Sequence, residues 1–293
     1  MRAAVIGHPI AHSKSPALHE AAYRCLGRSI DYRAIDVPPE DLPSFFTELR
    51  RAPQEWAGVS VTMPHKAAAV ELIDHPDELV TELGVLNTVL VDESGALHGK
   101  NTDVIGIVRA LAHAQQQAGR EECEDEDVGA DAMILGGGGT ASAALAALHE
   151  RGARRVQLAL RRPEQAAPLR VLSRRWGMEL RVSPLAETDL SSAPLVISTL
   201  PPHAADALGS GSPGAEGAHQ SQLSGALLLD VAYAPWPSDL ARRWQAHGGR
   251  AVSGLEMLLY QAVAQVAAFT GEDLTDRPDV INVMCDSVGL LRR

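Results

Sequence analysis

Ala132-Met133-Ile134-Leu135-Gly136-Gly137-Gly138-Gly139-Thr140-Ala141 is a short apolar run broken by four glycines and continued by an alanine-rich segment. Such a run reads as a buried strand, a tight turn and the start of a helix. The turn fits GxGxxA, in which glycines allow the backbone to approach a pyrophosphate held on the free N–H groups of the helix N-terminus. Outward from it the alternation continues, with strands expected at 132–135, 155–160, 179–182, 195–199 and 227–231 and helices at 140–151 and 164–176. Strands alternating with helices build a parallel sheet covered on both faces, so the fold class expected is α/β with a doubly wound Rossmann domain. The second strand ends Leu160-Arg161-Arg162, with no carboxylate before Glu164. An NAD site usually places an acid there for the ribose 2′-hydroxyl, whereas two guanidiniums suit a 2′-phosphate, so NADP is the cofactor expected.

The residues before this segment form a second α/β unit. Strands are read at 2–7, 30–37 and 57–62, the second with Ile30, Tyr32 and Ala34 on one face. Ser15 reads as an N-cap and Pro16 as a first helical residue, with Leu18, Ala21, Ala22, Cys25 and Leu26 as the apolar stripe and Gly27 as the stop. A helical pattern with Leu42, Phe45, Phe46 and Leu49 follows, then a strand pair at 87–91 and 96–98 turned at Asp92-Glu93-Ser94-Gly95. A further helix begins at Asp103. Residues 114–130 carry no apolar periodicity and read as a linker or loop, and Gly209 to Gln222 is a low-complexity surface loop. Helices at 255–270 and 279–291 close the chain.

Length and charge bound the reading. The 293 residues suit two domains, and 45% hydrophobic with 22% charged residues is an ordinary globular balance. The 26 basic against 37 acidic residues leave −11, which repels phosphate backbones and anionic lipid, so neither nucleic acid nor a membrane is expected as a partner. Seven of the acids, Glu121, Glu122, Glu124, Asp125, Glu126, Asp127 and Asp131, fall in one stretch. Cys25, Cys123 and Cys285 are odd in number with no CxxC pair, and eleven histidines include no HxH or HExxH, so no disulfide framework and no metal are expected. The first apolar run is too short for a signal peptide, and 251–270 is interrupted by Glu256, Gln261 and Gln265. A cytoplasmic protein is expected.

Four segments carry a resemblance: Pro9-Ile10-Ala11-His12-Ser13-Lys14-Ser15-Pro16, Val61-Thr62-Met63-Pro64-His65-Lys66, Leu86-Asn87-Thr88 and Gly99-Lys100-Asn101-Thr102-Asp103. In this order and spacing the chain resembles the shikimate dehydrogenases. The likeness continues through Gly136 to Ala141, Asp230-Val231-Ala232-Tyr233 and Gly254-Leu255-Glu256-Met257-Leu258-Leu259-Tyr260-Gln261. It implies a substrate-binding domain over 1–103, completed by helices within 253–293, and an NADP-binding Rossmann domain over 104–252. It implies reversible NADPH-dependent reduction of 3-dehydroshikimate to shikimate, a step of aromatic amino-acid biosynthesis, in a monomer or homodimer acting on a small molecule.

The resemblance also assigns residues. Lys66 would donate the proton as hydride reaches the ketone carbon, and Asp103 would fix its ammonium and hydrogen-bond the reacting hydroxyl. In the oxidative direction the same lysine must lose a proton, which favours alkaline pH. Ser13 and Ser15 would hold the carboxylate, Thr62, Asn87 and Gln261 the ring hydroxyls, and Tyr233 the carboxylate end. Gly136, Gly137, Gly138, Gly139, Thr140, Ala141, Arg161, Arg162 and Gly254 would hold the cofactor. Taken without the family, Lys66 reads as a surface lysine, Asp103 as an N-cap and Ser15 as a helix cap. His65, beside the lysine, reads as a packing residue. Departures are Ser60 and Val104, where the family commonly has Asn and Gly, and a cofactor corner that matches the family at Arg161 but not at Arg162. The alternatives are an NAD-dependent quinate/shikimate dehydrogenase, which Leu160 and Ser15 disfavour, and a non-catalytic sensor domain, which an intact Lys/Asp pair disfavours.

Overall fold

The computed structural model describes residues 1–117, 131–206, 208 and 223–293. The loop 209–222, Cys123 and the acids from 121 to 127 therefore lie outside the described residues. The chain divides into two compact units, one of Met1–Gly106 with Leu258–Arg293 and one of Ile107–Met257.

The first unit opens with β1 (Arg2–Gly7), α1 (Ser15–Cys25), β2 (Asp31–Asp36), α2 (Leu42–Arg51) and β3 (Trp56–Val61), then α3 (Glu78–Leu83) after a strand of two residues, β4 (His75–Pro76). β5 (Thr88–Val91) and β6 (Leu97–Lys100) form the expected hairpin, and α4 (Asp103–Gln116) leads out of the unit. The sheet order is β2-β1-β3-β5-β6-β4, parallel through β2, β1 and β3 and antiparallel where β5 joins β3. Every residue of β3 is buried, as expected of a central strand covered on both faces. One face packs Phe46, Leu49, Val59 and Leu86, and the other packs Leu18, Tyr32, Leu259 and Val266.

The second unit holds β7 (Asp131–Leu135), α5 (Gly139–Glu150), β8 (Arg155–Leu160), α6 (Ala167–Arg175), β9 (Glu179–Pro184), β10 (Leu195–Ser198), β11 (Leu227–Asp230), α7 (Asp239–Ala246) and β12 (Arg250–Ser253). Its sheet is parallel throughout, in the order β12-β11-β10-β7-β8-β9. Counted from β7 this is the doubly wound order, with its switch point between β7 and β10. The glycine turn therefore sits where this fold binds its ligands. α8 (Gly254–Thr270) carries the chain back to the first unit, and α9 (Pro278–Val288) closes it.

Several sequence expectations are corrected. Ser15 is the first residue of α1 rather than its cap; Lys14 holds the cap position and its side chain makes no capping bond. The buried face of α1 is Ser15, Leu18, His19, Ala22 and Tyr23, and Cys25 is exposed, because burial follows the core on both sides of the helix rather than apolarity alone. On β2, an edge strand, Tyr32 is buried while Ala34 is exposed. The expected loop from 114 begins too early, since α4 runs through Gln116, and the strand expected at 132–135 begins one residue earlier, at Asp131, the last acid of the acidic stretch, which pairs through both carboxylate oxygens with Arg155. The helix expected at 164–176 is a 3-10 turn at Pro163–Ala166 followed by α6. α7 and β12 were not expected; Ser238 caps α7, its hydroxyl accepting from Ala241 N at 3.0 Å.

Candidate active site

Lys66 and Asp103 meet in the first unit. The loop from Thr62 to Lys66 leaves the end of β3 and is held at three points. Thr62 N donates to Ile6 O at 2.9 Å, His65 N donates to Thr62 O at 2.9 Å, and the buried His65 ring donates through Nε2 to Val37 O at 2.7 Å. His65 thus anchors the loop to the backbone just past β2. Lys66 O accepts from Leu86 N at 2.9 Å, tying the lysine to the segment before β5.

Asp103 opens α4, where a carboxylate is favoured by the unpaired N–H groups and the positive end of the helix dipole. Its own N–H donates to Asn101 Oδ1 at 3.0 Å, and Asn101 Nδ2 donates to Val85 O at 3.1 Å. Asp103 Oδ2 pairs with Lys66 Nζ, with side chains only 5% and 14% exposed. Asn87 Nδ2 donates to Asp103 Oδ1 at 2.8 Å and lies 3.3 Å from Gln261 Oε1. Asn87 Oδ1 accepts from Thr102 N at 2.7 Å and Thr88 Oγ1 at 2.8 Å. Lys66, Asp103, Asn87 and Gln261 are one connected group.

Ser13 and Ser15 lie together at the start of α1, Ser13 Oγ accepting from Ser15 N at 3.3 Å. Ser15 is buried, and the Tyr32 phenol donates to Ser60 Oγ at 2.7 Å. Burial pushes the Tyr32 phenol well above its ordinary range. Thr62 is half-buried beside Gly7, where an added Cβ would strike its methyl. Tyr233 belongs to the second unit, after β11.

In the second unit the glycine positions have distinct reasons. Gly136 has φ +102°, and a Cβ there would meet Thr199 Oγ1 at 2.6 Å; at Gly137 it would meet the Leu160 side chain at 2.7 Å. A Cβ on Gly138 would meet nothing within 4 Å, so the space over the cap of α5 is open. Gly139 and Thr140 begin the helix and Ala141 is buried against the sheet. Arg161 and Arg162 are exposed past the end of β8, and among the described residues neither forms an ion pair. Gly254 is required by packing, since a Cβ would lie 2.0 Å from Val231 O. A glycine cradle, an open helix start and two arginines fit an anionic dinucleotide. Among the described residues no cluster of His, Cys, Asp or Glu could hold a metal ion, and no helix is long and apolar enough to cross a membrane.

The connected group also contains residues that the sequence did not nominate. Gln265 lies one turn beyond Gln261 on α8, bonded to Ser60, His19, Asn87 and Thr88. Its signal was a second glutamine at helical spacing within an apolar run. Thr102 and Asn101, within the NTD segment, brace Asn87 and Asp103.

A doubly wound parallel sheet with a glycine turn at its switch point, in a chain that also holds a buried lysine–carboxylate pair, defines a two-unit α/β protein of the dinucleotide-binding class. Residues 5–89 match the family model of the shikimate dehydrogenase substrate binding domain. The shikimate dehydrogenase (NADP(+)) of Rubrobacter xylanophilus is 37% identical over 281 residues, covering 94% of this chain and 91% of that protein. The Mycobacterium tuberculosis shikimate dehydrogenase structure is 34% identical and superposes with a TM-score of 0.80 over 99% of both chains. The Thermus thermophilus shikimate 5-dehydrogenase, solved with NADP(H) and shikimate, is 31% identical with a TM-score of 0.75 over 98% of this chain and 99% of that one. The chain belongs to the shikimate dehydrogenase family.

Proposed function

We propose that this chain is an NADP-dependent shikimate dehydrogenase, reducing 3-dehydroshikimate to shikimate reversibly in aromatic amino-acid biosynthesis. The observation that carries the reading is the buried Lys66–Asp103 pair, with Asn87 bonded to the other carboxylate oxygen.

Reduction of a ketone puts negative charge on its oxygen, and a positioned cation both stabilises that charge and supplies the proton. Lys66 does this, from an ammonium that Asp103 holds in place. Oxidation runs the same proton back to Lys66. Bound NADPH supplies the hydride. Ser13 and Ser15 hold the substrate carboxylate at the start of α1, where first-turn N–H groups favour an anion. Thr62, Asn87 and Gln261 bind ring hydroxyls, and Tyr233 serves the carboxylate end. Gly136 to Ala141 receive the cofactor's pyrophosphate at the start of α5, Arg161 and Arg162 its 2′-phosphate, and Gly254 lets α8 begin close beside β11. We place the enzyme in the cytoplasm as a monomer or homodimer.

The test is a spectrophotometric assay of nicotinamide reduction that crosses shikimate and quinate with NADP and NAD. Turnover with shikimate and NADP is expected. Silence in all four combinations refutes the activity.

A further inference from the structure

Behind the Lys66–Asp103 pair lies a buried polar chain that direct contact with a substrate does not explain. Gln265 is 1% exposed and lies on α8 beside the fully buried Leu259, Ala262 and Val266. All of its hydrogen-bonding capacity is nevertheless used. Its carbonyl oxygen accepts from Ser60 Oγ at 2.8 Å and from His19 Nε2 at 3.3 Å; its amide donates to Asn87 O and Thr88 Oγ1, each at 3.0 Å.

The direction of each bond follows from the chemistry of the partners. A carbonyl oxygen only accepts, so His19 carries its proton on Nε2, and Nδ1 accepts from the Tyr23 hydroxyl at 3.0 Å. Burial lowers the His19 pKa to about 3, which keeps this ring neutral. With both donors on the oxygen side, the Gln265 NH₂ must face Asn87 and Thr88. Thr88 Oγ1, having accepted from Gln265, turns its own proton to Asn87 Oδ1 at 2.8 Å. Together with Thr102 N, which donates to the same oxygen at 2.7 Å, that assigns the oxygen of the Asn87 carboxamide and leaves Nδ2 to donate to Asp103 Oδ1. The other carboxylate oxygen stays on Lys66.

We propose that Gln265 is a positioning residue for the reaction: through Thr88, and alongside the Thr102 backbone N–H, it holds the orientation of the Asn87 carboxamide, and so the placing of Asp103 and Lys66. The inference rests on the dehydrogenase reading above. A carboxamide buried among aliphatic side chains costs free energy unless its bonds are made; here the oxygen is held by Ser60 and His19, and both amide bonds run toward the site, to Asn87 and Thr88. Were Asn87 to turn over, its oxygen would face the Asp103 carboxylate and push it off the ammonium.

The experiment compares Gln265→Met, Gln265→Glu, Thr88→Val and the Gln265→Met/Thr88→Val double variant with the wild-type chain in shikimate oxidation by NADP. Gln265→Glu keeps the acceptor for Ser60 and His19 but cannot donate to Asn87 or Thr88. Each single variant is expected to lose roughly 10–100-fold in kcat with the KM for NADP unchanged, since misplacing a reacting group slows chemistry without touching the cofactor. The double variant should be no worse than the worse single one, because both break the same relay. Folded variants with wild-type kcat, or losses that multiply in the double, overturn the proposal. If Gln265→Met does not fold, Thr88→Val decides alone, as the smaller change. The Asn87 side-chain amide resonances in NMR report the same orientation without turnover and should move in Thr88→Val; unmoved resonances overturn the assignment. A wild-type chain without turnover counts against the dehydrogenase reading, whereas wild-type turnover with undisturbed variants counts against Gln265 alone.

Discussion

Asn87 Nδ2 donates to Asp103 Oδ1 at 2.8 Å, leaving Oδ2 to the Lys66 ammonium. One carboxylate therefore serves two donors, one on each oxygen, and its plane is set before any substrate arrives. Preorganised donors of this kind need no rearrangement as charge develops, which is how they stabilise a transition state more than a bound ground state. Lys66→Ala removes the proposed proton donor but none of the groups assigned to the substrate carboxylate. It should lower kcat by roughly 10²–10⁴-fold with little change in shikimate binding. Steady-state kinetics checks the first and calorimetric titration the second; near-normal turnover sinks the assignment.

The glycine turn separates packing from nucleotide binding. Gly136 has a left-handed φ and no room beside Thr199, so Gly136→Ala should destabilise the second unit by about 1–3 kcal/mol. Gly138 has φ −81° and open space, so Gly138→Ala should melt like the wild type. The same methyl would occupy the approach to the helix start and should weaken NADP binding. Thermal denaturation with and without NADP distinguishes the two. Equal nucleotide stabilisation of Gly138→Ala and wild type would show that the dinucleotide does not lie over this turn.

Arg161 and Arg162 are exposed at the end of β8, where no acid is present to receive a ribose 2′-hydroxyl. A charge-assisted bond to a 2′-phosphate contributes about 1.5–3 kcal/mol. Arg161→Ala should therefore raise the KM for NADP by roughly tenfold or more and leave the weaker use of NAD unchanged. Comparing Arg162→Ala measures the second arginine, the one without a family counterpart. An equal loss for both nucleotides in Arg161→Ala would place this side chain away from the 2′-position.

The second unit was legible because its signals are local. A strand ending in four glycines and an alanine-rich helix fix a tight turn, and regular alternation fixes a parallel sheet. α7 and β12 were missed because their sequence, Asp239 to Ser253, follows a proline-rich segment and has no long apolar period. In the first unit the Lys66–Asp103 pair was visible only through the order of short motifs; nothing local marks Lys66 as buried or joins it to Asp103, 37 positions later. Gln265 was read as an interruption of an apolar run, an argument against a membrane span. Its partners Ser60, His19 and Asn87 come from β3, α1 and the segment before β5, and no helical or strand period in sequence predicts that meeting. Burial of α1 misled for the same reason: His19 and Tyr23 look polar, and the fold supplies them with partners.

His19 ties the stability of the first unit to pH. The ring is fully buried, stacks on Tyr32 with centroids 3.9 Å apart, and is neutral because burial lowers its pKa from 6.5 to about 3. The unfolded chain takes up a proton near the ordinary value that the folded chain refuses until far lower pH. Falling pH thus favours the unfolded state: the stability is full above 6.5 and is lost progressively as pH falls from 6.5 toward 3. The slope over that window is at most about 1.4 kcal/mol per pH unit from this one group. His19→Gln keeps a side chain able to meet Tyr23 and Gln265 but carries no titrating group. Its unfolding free energy should be lower at neutral pH, since it packs less well, and should fall less steeply on acidification. Urea unfolding of both proteins between about pH 7 and about pH 5 measures the two slopes, and the groups that the two proteins share cancel in the comparison. Parallel slopes would mean that His19 takes up its proton in the folded state as readily as in the unfolded one, and that the Nε2–H donated to Gln265 does not depend on a neutral ring.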